Sequence, residues 1–222
     1  LASESRTLYL GSADGKANDV FHAGSLTTVP GEGSASDGFV YDPLDVRPGA
    51  LEKQSPGTVG YILDQTGVQN LYGTGAVYMT EPFTEDIEIS GAVGATIWLS
   101  MDVPDTDLFV SLFEVKKDGT SISLTNDLKR ARYRESLRQA KPVPAGEAIA
   151  YTFDTFTWSS RKIAKDSRLR LVVACPNSMT LEKNFNGGGV VANESAKDAR
   201  TAHVVLLHDA AHRSTLTLPV VR

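Results

Sequence analysis

"DVPDTDLFVSLFEVKKDG", residues 102–119, places three aspartates within six positions and then runs into an almost unbroken apolar stretch. As a strand from Asp107 onward, its side chains alternate: Phe109, Ser111, Phe113 and Val115 on one face, Leu108, Val110 and Leu112 on the other. Both faces are then apolar, which in an antiparallel sandwich demands an outer cover, either a loop of this chain or a further domain. Asp105 and Asp107, two apart, fall on one side at the start of that strand.

A complementary pattern follows in "LKRARYRESL", where Arg130, Arg132 and Arg134 are two apart and so are expected on one strand face, with Ala131 and Tyr133 on the other. Guanidinium groups facing carboxylates form charge-assisted, often bidentate pairs. Structural ion pairing among Asp105, Asp107, Arg130, Arg132 and Arg134 is therefore expected ahead of an interdomain contact or a calcium site, because neighbouring arginines oppose a cation. Acid–base catalysis by the aspartates would need a pocket and a partner that separates their proton affinities, and the sequence identifies neither.

Period-two alternation recurs at Leu8 and Leu10; Ile87 and Ile89; Ile97, Leu99 and Met101; Ile149, Tyr151 and Phe153; Leu169, Leu171 and Val173; and Leu216, Leu218 and Val220. Turn signals separate these runs: "DG" at 118–119, "PAGE" at 144–147 and "NGGG" at 186–189. Many strands so punctuated predict an all-β sandwich or jelly roll. Residues 11–75 are instead rich in Gly, Ser, Asp and Pro, an irregular excursion that needs a task or a surface to lie on. A single domain over 1–222 is expected.

The 22 basic and 27 acidic side chains, net charge −5, argue against a nucleic-acid partner. No apolar run reaches the roughly 20 residues of a membrane span, and "LASESRTLYL" has no signal-peptide pattern. The chain begins with Leu1 and ends in a strand-like stretch, so a piece of a longer polypeptide is expected. The lone Cys175, in "LVVACP", reads as a core filler. No serine has glycine at both −2 and +2, which removes the nucleophile elbow of α/β-hydrolases, and there is no Walker loop. His203 and His208 should point to opposite faces, which spoils a shared metal site, and His208 and His212 flank a turn. Neither a metal nor another cofactor is implied. Trp98 and Trp158 could stack on a sugar but more often pack.

The segments "VYDPLDVRP" (40–48), "LDQ" (63–65), "YMTEPFTEDIEISGAV" (78–93), "PDTDLFVSLFEVKKDGTSISL" (104–124), "KRARYRESL" (129–137), "AGEAIAYTF" (145–153), "SRLRLVVA" (167–174), "NFNGGG" (184–189) and "LLHDAAHRSTLTLPVV" (206–221) come in an order that resembles the non-catalytic C-terminal domain of X-Pro dipeptidyl-peptidase and cocaine-esterase type serine hydrolases. The resemblance implies a galactose-binding-like jelly roll that packs on an α/β-hydrolase domain of the same polypeptide and helps close its substrate cleft. The Ser, Asp and His triad would lie in that other domain, so no catalytic residue carries over and the isolated domain is expected to be inactive. The family's segment between "YDP" and "DQ" runs near the active-site mouth, which makes Tyr61 and Ile62 candidate cleft-lining residues, although "GALEKQSPGTVGYI" (49–62) departs from the family's pattern. The rival reading is a carbohydrate-binding module, since the same architecture hosts sugar sites. Beyond the hydrolase domain, the expectation is no nucleic acid and no membrane, with a homo-oligomer left open.

Overall fold

A computed structural model describes residues 3–54 and 62–221. Thirteen strands run in chain order: β1 (Ser3–Gly11), β2 (Gly24–Thr27), β3 (Ser36–Tyr41), β4 (Gly75–Met79), β5 (Ile87–Gly91), β6 (Gly94–Met101), β7 (Asp107–Val115), β8 (Ser121–Arg130), β9 (Ile149–Phe153), β10 (Ser159–Ile163), β11 (Arg168–Ala174), β12 (Ala202–Leu207) and β13 (Thr215–Val221). Two short helices, α1 (Arg47–Gln54) and α2 (Thr66–Gln69), fall between β3 and β4. The 11–75 stretch is thus less irregular than its composition predicts. Within it β3 is a full sheet member, pairing with β12 from Tyr41↔Ala202 to Ser36↔Leu207.

The hydrogen-bonded path runs β3-β12-β6-β13-β1-β2-β4-β11-β7-β8, with β9 added on β6 and the β5–β10 pair on β13. Every pairing is antiparallel except the short β2–β4 contact. Leu108, Val110 and Leu112 of β7, near one end of the path, share one buried cluster with Val204 and Leu206 of β12 near the other. Ends of a sheet that share a core must be folded over each other, which makes the molecule an all-β sandwich. The alternation read in the sequence supplies this core: Ala95, Ile97, Leu99 and Met101 of β6 are all buried, and so are Leu216, Leu218 and Val220 of β13.

Pro219 interrupts β13 in mid-strand, where its missing N–H would break a central ladder. It stands where β13 leaves β6, whose last pairing is Thr217↔Gly94, and meets β5 only at Val220↔Ile89. Gly91 (φ 136°) packs there, and a Cβ on it would lie 3.2 Å from the proline ring.

This chain itself supplies outer cover for β7. Phe113 of β7, Val77 of β4 and Val172 of β11 form a second apolar cluster, closed from outside by Val68 and Leu71. The segment from Ile62 to Thr74 is therefore a strap across the outer sheet.

Candidate functional site

Two adjoining features stand out: a buried polar clasp at the start of β7, and an exposed apolar face held in place by the loop that completes the clasp. Asp105 has no exposed side-chain surface. Its Oδ2 accepts from Arg132 Nε at 2.6 Å and Asn184 Nδ2 at 2.9 Å, and its Oδ1 accepts from the Arg132 backbone N–H at 2.9 Å. Asp107 accepts from Arg130 Nε at 2.8 Å and Nη2 at 3.0 Å, a bidentate fork, and from Asn184 Nδ2 at 3.1 Å. The Asp107 hydrogen bond, with help from Glu182 on the same guanidinium, raises the Arg130 pKa against the effect of burial. Asn184 gives one amide hydrogen to each carboxylate and accepts the Asn186 N–H on its oxygen, so both donors are spent and the oxygen is engaged. The sequence showed this residue only as the edge of a glycine-rich turn.

The arginines do not share a strand face. β8 ends at Arg130 and Ala131–Tyr133 form a 3₁₀ turn. The Ala131 N–H still donates to Thr106 O at 2.9 Å, its opposite in the β7–β8 register, but the Arg132 N–H turns to the Asp105 carboxylate and the ladder goes no further. Arg134 meets neither aspartate; it donates to the carbonyls of Ala131, Lys141 and Pro142 and lies 3.7 Å from Glu135.

From Asn184 the loop runs back to the segment after β3. Lys183 Nζ donates to Pro43 O at 2.7 Å and to Asn177 Oδ1, and Asn177 Nδ2 donates to Asp42 O at 3.1 Å and to Asp45 O. Glu52 of α1 accepts from Ser178 Oγ at 2.9 Å, the Met179 N–H at 2.7 Å and Thr180 Oγ1 at 3.1 Å. These segments carry the exposed Leu44, Val46 and Met179, and the separately bonded strap carries Ile62, Leu63 and Tyr72; each of the six is between 49% and 74% exposed. Tyr72 (φ 38°) sits in the left-handed region, where a bulky residue carries about 1–2 kcal/mol of strain. Its turn is held by Gly73, whose N–H donates to Asn18 O at 3.0 Å and whose O accepts the Val40 N–H at 2.9 Å. Of the two cleft-lining candidates, Ile62 is exposed on the strap and Tyr61 lies outside the described residues.

Nothing in the described residues assembles a nucleophile with its base. Ser12, Asp37 and His208 are the residue types of a triad, but both Ser12 Oγ and His208 Nε2 bond to Asp37, each at 2.8 Å, so the hydroxyl meets no base. Tyr78 OH and the Ala17 N–H, also at 2.8 Å, complete the shell. Burial works to raise the Asp37 pKa, but the bonds from His208, Ala17, Tyr78 and Ser12 together hold the carboxyl below the ordinary range. Burial pushes the Cys175 thiol up to about 12. No three His, Cys, Asp or Glu side chains among the described residues gather as metal ligands. His203, exposed, pairs with Asp102, while His212 pairs with Asp209 and meets Trp98 edge-on. Trp158 is 80% exposed, yet the neighbouring Asp127 spends both carboxylate oxygens on Thr155. No helix among the described residues is long and apolar enough to cross a membrane.

The fold defines the class as an all-β sandwich. The sequence signature of the X-Pro dipeptidyl-peptidase C-terminal non-catalytic domain matches residues 2–217, and the chain belongs to that family. It is 30% identical over 221 residues to the cocaine esterase of Rhodococcus sp. (strain MB1 Bresler), which covers 96% of this chain and 37% of the esterase. Among solved structures, an aminopeptidase from the marine sediment archaeon Thaumarchaeota archaeon superposes with TM-score 0.77 at 21% identity, over 99% of this chain and 37% of that one. An α-amino acid ester hydrolase superposes with TM-score 0.76 at 19% identity, over 98% of this chain and 36% of its own. The chain thus spans about 37% of the length of these relatives.

Proposed function

We propose that this chain is the jelly-roll accessory module of a serine hydrolase that cleaves esters or amides by acyl transfer, and that it docks on the α/β-hydrolase domain through the face bearing Leu44, Val46, Ile62, Leu63, Tyr72 and Met179. The observation that carries this reading is that these six exposed apolar side chains sit on segments cross-braced by hydrogen bonds, where a solvent-facing loop would ordinarily be polar and mobile. A specific interface of this kind buries about 800 Å² on each partner. The module then orients the cleft wall and excludes water, with Ile62 of the strap as a lining residue; the nucleophile, base and oxyanion hole belong to the other domain.

The test is co-expression of the 222-residue chain with the hydrolase portion of its parent polypeptide. Co-purification and hydrolytic turnover by the pair, with none by the 222-residue chain alone, is the expected result. Val46→Asp with Met179→Asp should abolish co-purification while leaving the melting temperature of the chain unchanged. Turnover by the isolated chain, or association that survives both charges, would overturn the reading.

A further inference from the structure

Arg170 of β11 is 4% exposed, and burial lowers its pKa with no carboxylate contributing. Its guanidinium lies 5.6 Å from the centre of the Phe113 ring, and its Nε has no hydrogen-bond partner. One nitrogen, Nη2, donates both to Ser121 Oγ at 2.9 Å and to Gln65 Oε1 at 3.2 Å. Residues 55–61, SPGTVGY, include no acidic side chain. A buried cation held only by neutral oxygens is costly, so its retention asks for a role.

That role follows from Gln65. Its oxygen takes Arg170, and its Nε2 donates to Gly119 O at 3.2 Å in the β7–β8 turn. Because a guanidinium only donates, it fixes which end of the Gln65 amide faces inward and so aims the other end at Gly119. Gln65 directly precedes α2, whose Val68, with Leu71 beyond, closes the outer cluster. On its other side lie the exposed Ile62 and Leu63, and the Ile62 carbonyl accepts the Ser123 N–H of β8 at 2.8 Å. We propose that Arg170 and Gln65 form a latch that sets where the 62–74 strap lies on the sheet, and thereby position Ile62, Leu63 and Tyr72 on the docking face. The latch stands on this geometry alone; its consequence for the hydrolase rests on the docking reading above.

The latch predicts a gain as well as a loss. Gln65→Glu gives up the neutral bond to Gly119 O but places a carboxylate against the guanidinium, and since a buried charged pair outweighs one neutral bond it should slow hydrogen exchange of the strap amides by about threefold. Gln65→Ala should speed it. Exchange is read by mass spectrometry on peptides over 62–74, with the β6 and β13 peptides as internal controls. In the Arg170→Met background Gln65→Glu should instead speed exchange, because the bond to Gly119 O is lost with no cation to offset it, and in Arg170→Lys the slowing should shrink, because one ammonium cannot hold Ser121 and residue 65 in the same geometry. Gln65→Glu exchange that is unchanged or faster, or slowed equally in all three backgrounds, would overturn the latch. In the parent hydrolase the same variants should move KM with little change in kcat. Altered strap exchange with wholly unaltered kinetics would leave the latch standing and count against the docking reading.

Discussion

Arg132→Ala should be the most damaging single substitution in the clasp. Its guanidinium, with a side chain 10% exposed, faces Asp105 at 0% exposure across 2.6 Å. Truncation leaves a carboxylate sealed from water with only the Arg132 backbone N–H and Asn184 as donors. Breaking such a buried pair from one side costs about 3–5 kcal/mol, because the remaining charge is desolvated without its partner. For a domain of this length that is a fall in melting temperature of about 6–11 °C. Arg130→Ala is the internal comparison. Its side chain is 25% exposed, so water can take its place beside Asp107, and about 1–2 kcal/mol is expected after discounting for screening. The assay is thermal and urea unfolding followed by far-UV circular dichroism. The double variant Asp105→Ala/Arg132→Ala removes the stranded charge along with its cause and should be no less stable than Arg132→Ala alone, a coupling of about 2 kcal/mol or more. Additive effects, or an Arg132→Ala cost below about 1 kcal/mol, would show that the clasp does not act as a desolvated ion pair.

Three further outcomes follow from the buried groups and the exposed aromatics. The Asp37 carboxyl is held below its unfolded value of 3.8, so its stabilisation is complete above about pH 4 and is lost as pH falls through the lower folded value; Asp37→Asn should flatten the melting-temperature profile between pH 4 and 2, and an unchanged profile would refute this. Cys175, raised to about 12, should resist a thiol-specific reagent at pH 8 in the folded chain and react at once in denaturant; rapid labelling of the native protein would contradict its burial. Trp158→Ala should change stability by less than about 0.5 kcal/mol, and a glycan array positive for the native chain but negative for this variant would favour the carbohydrate-binding reading.

The family was legible from the order of nine short segments. The strands of the core were legible too: in β6, β9 and β13 the buried residues are the alternating apolar positions. Arg130, Arg132 and Arg134 show where that reasoning stops. Their spacing is strand-like, yet the Asp105 carboxylate, 27 residues upstream, takes the Arg132 N–H, and the chain enters a 3₁₀ turn directly after Arg130.

Composition and periodicity are properties of neighbouring residues, so the sequence by itself determined the class of fold, the faces of most strands and the need for an outer cover on β7. What covers it, which arginine meets which aspartate, and the partners of Asn184 and Arg170 were decided by the tertiary structure. Gln65 and Arg170 are 105 residues apart, and Asn184 and Asp105 are 79 apart. A hydrogen bond depends on the position of both partners to within a few tenths of an ångström, and only the folded chain brings such distant groups into that range.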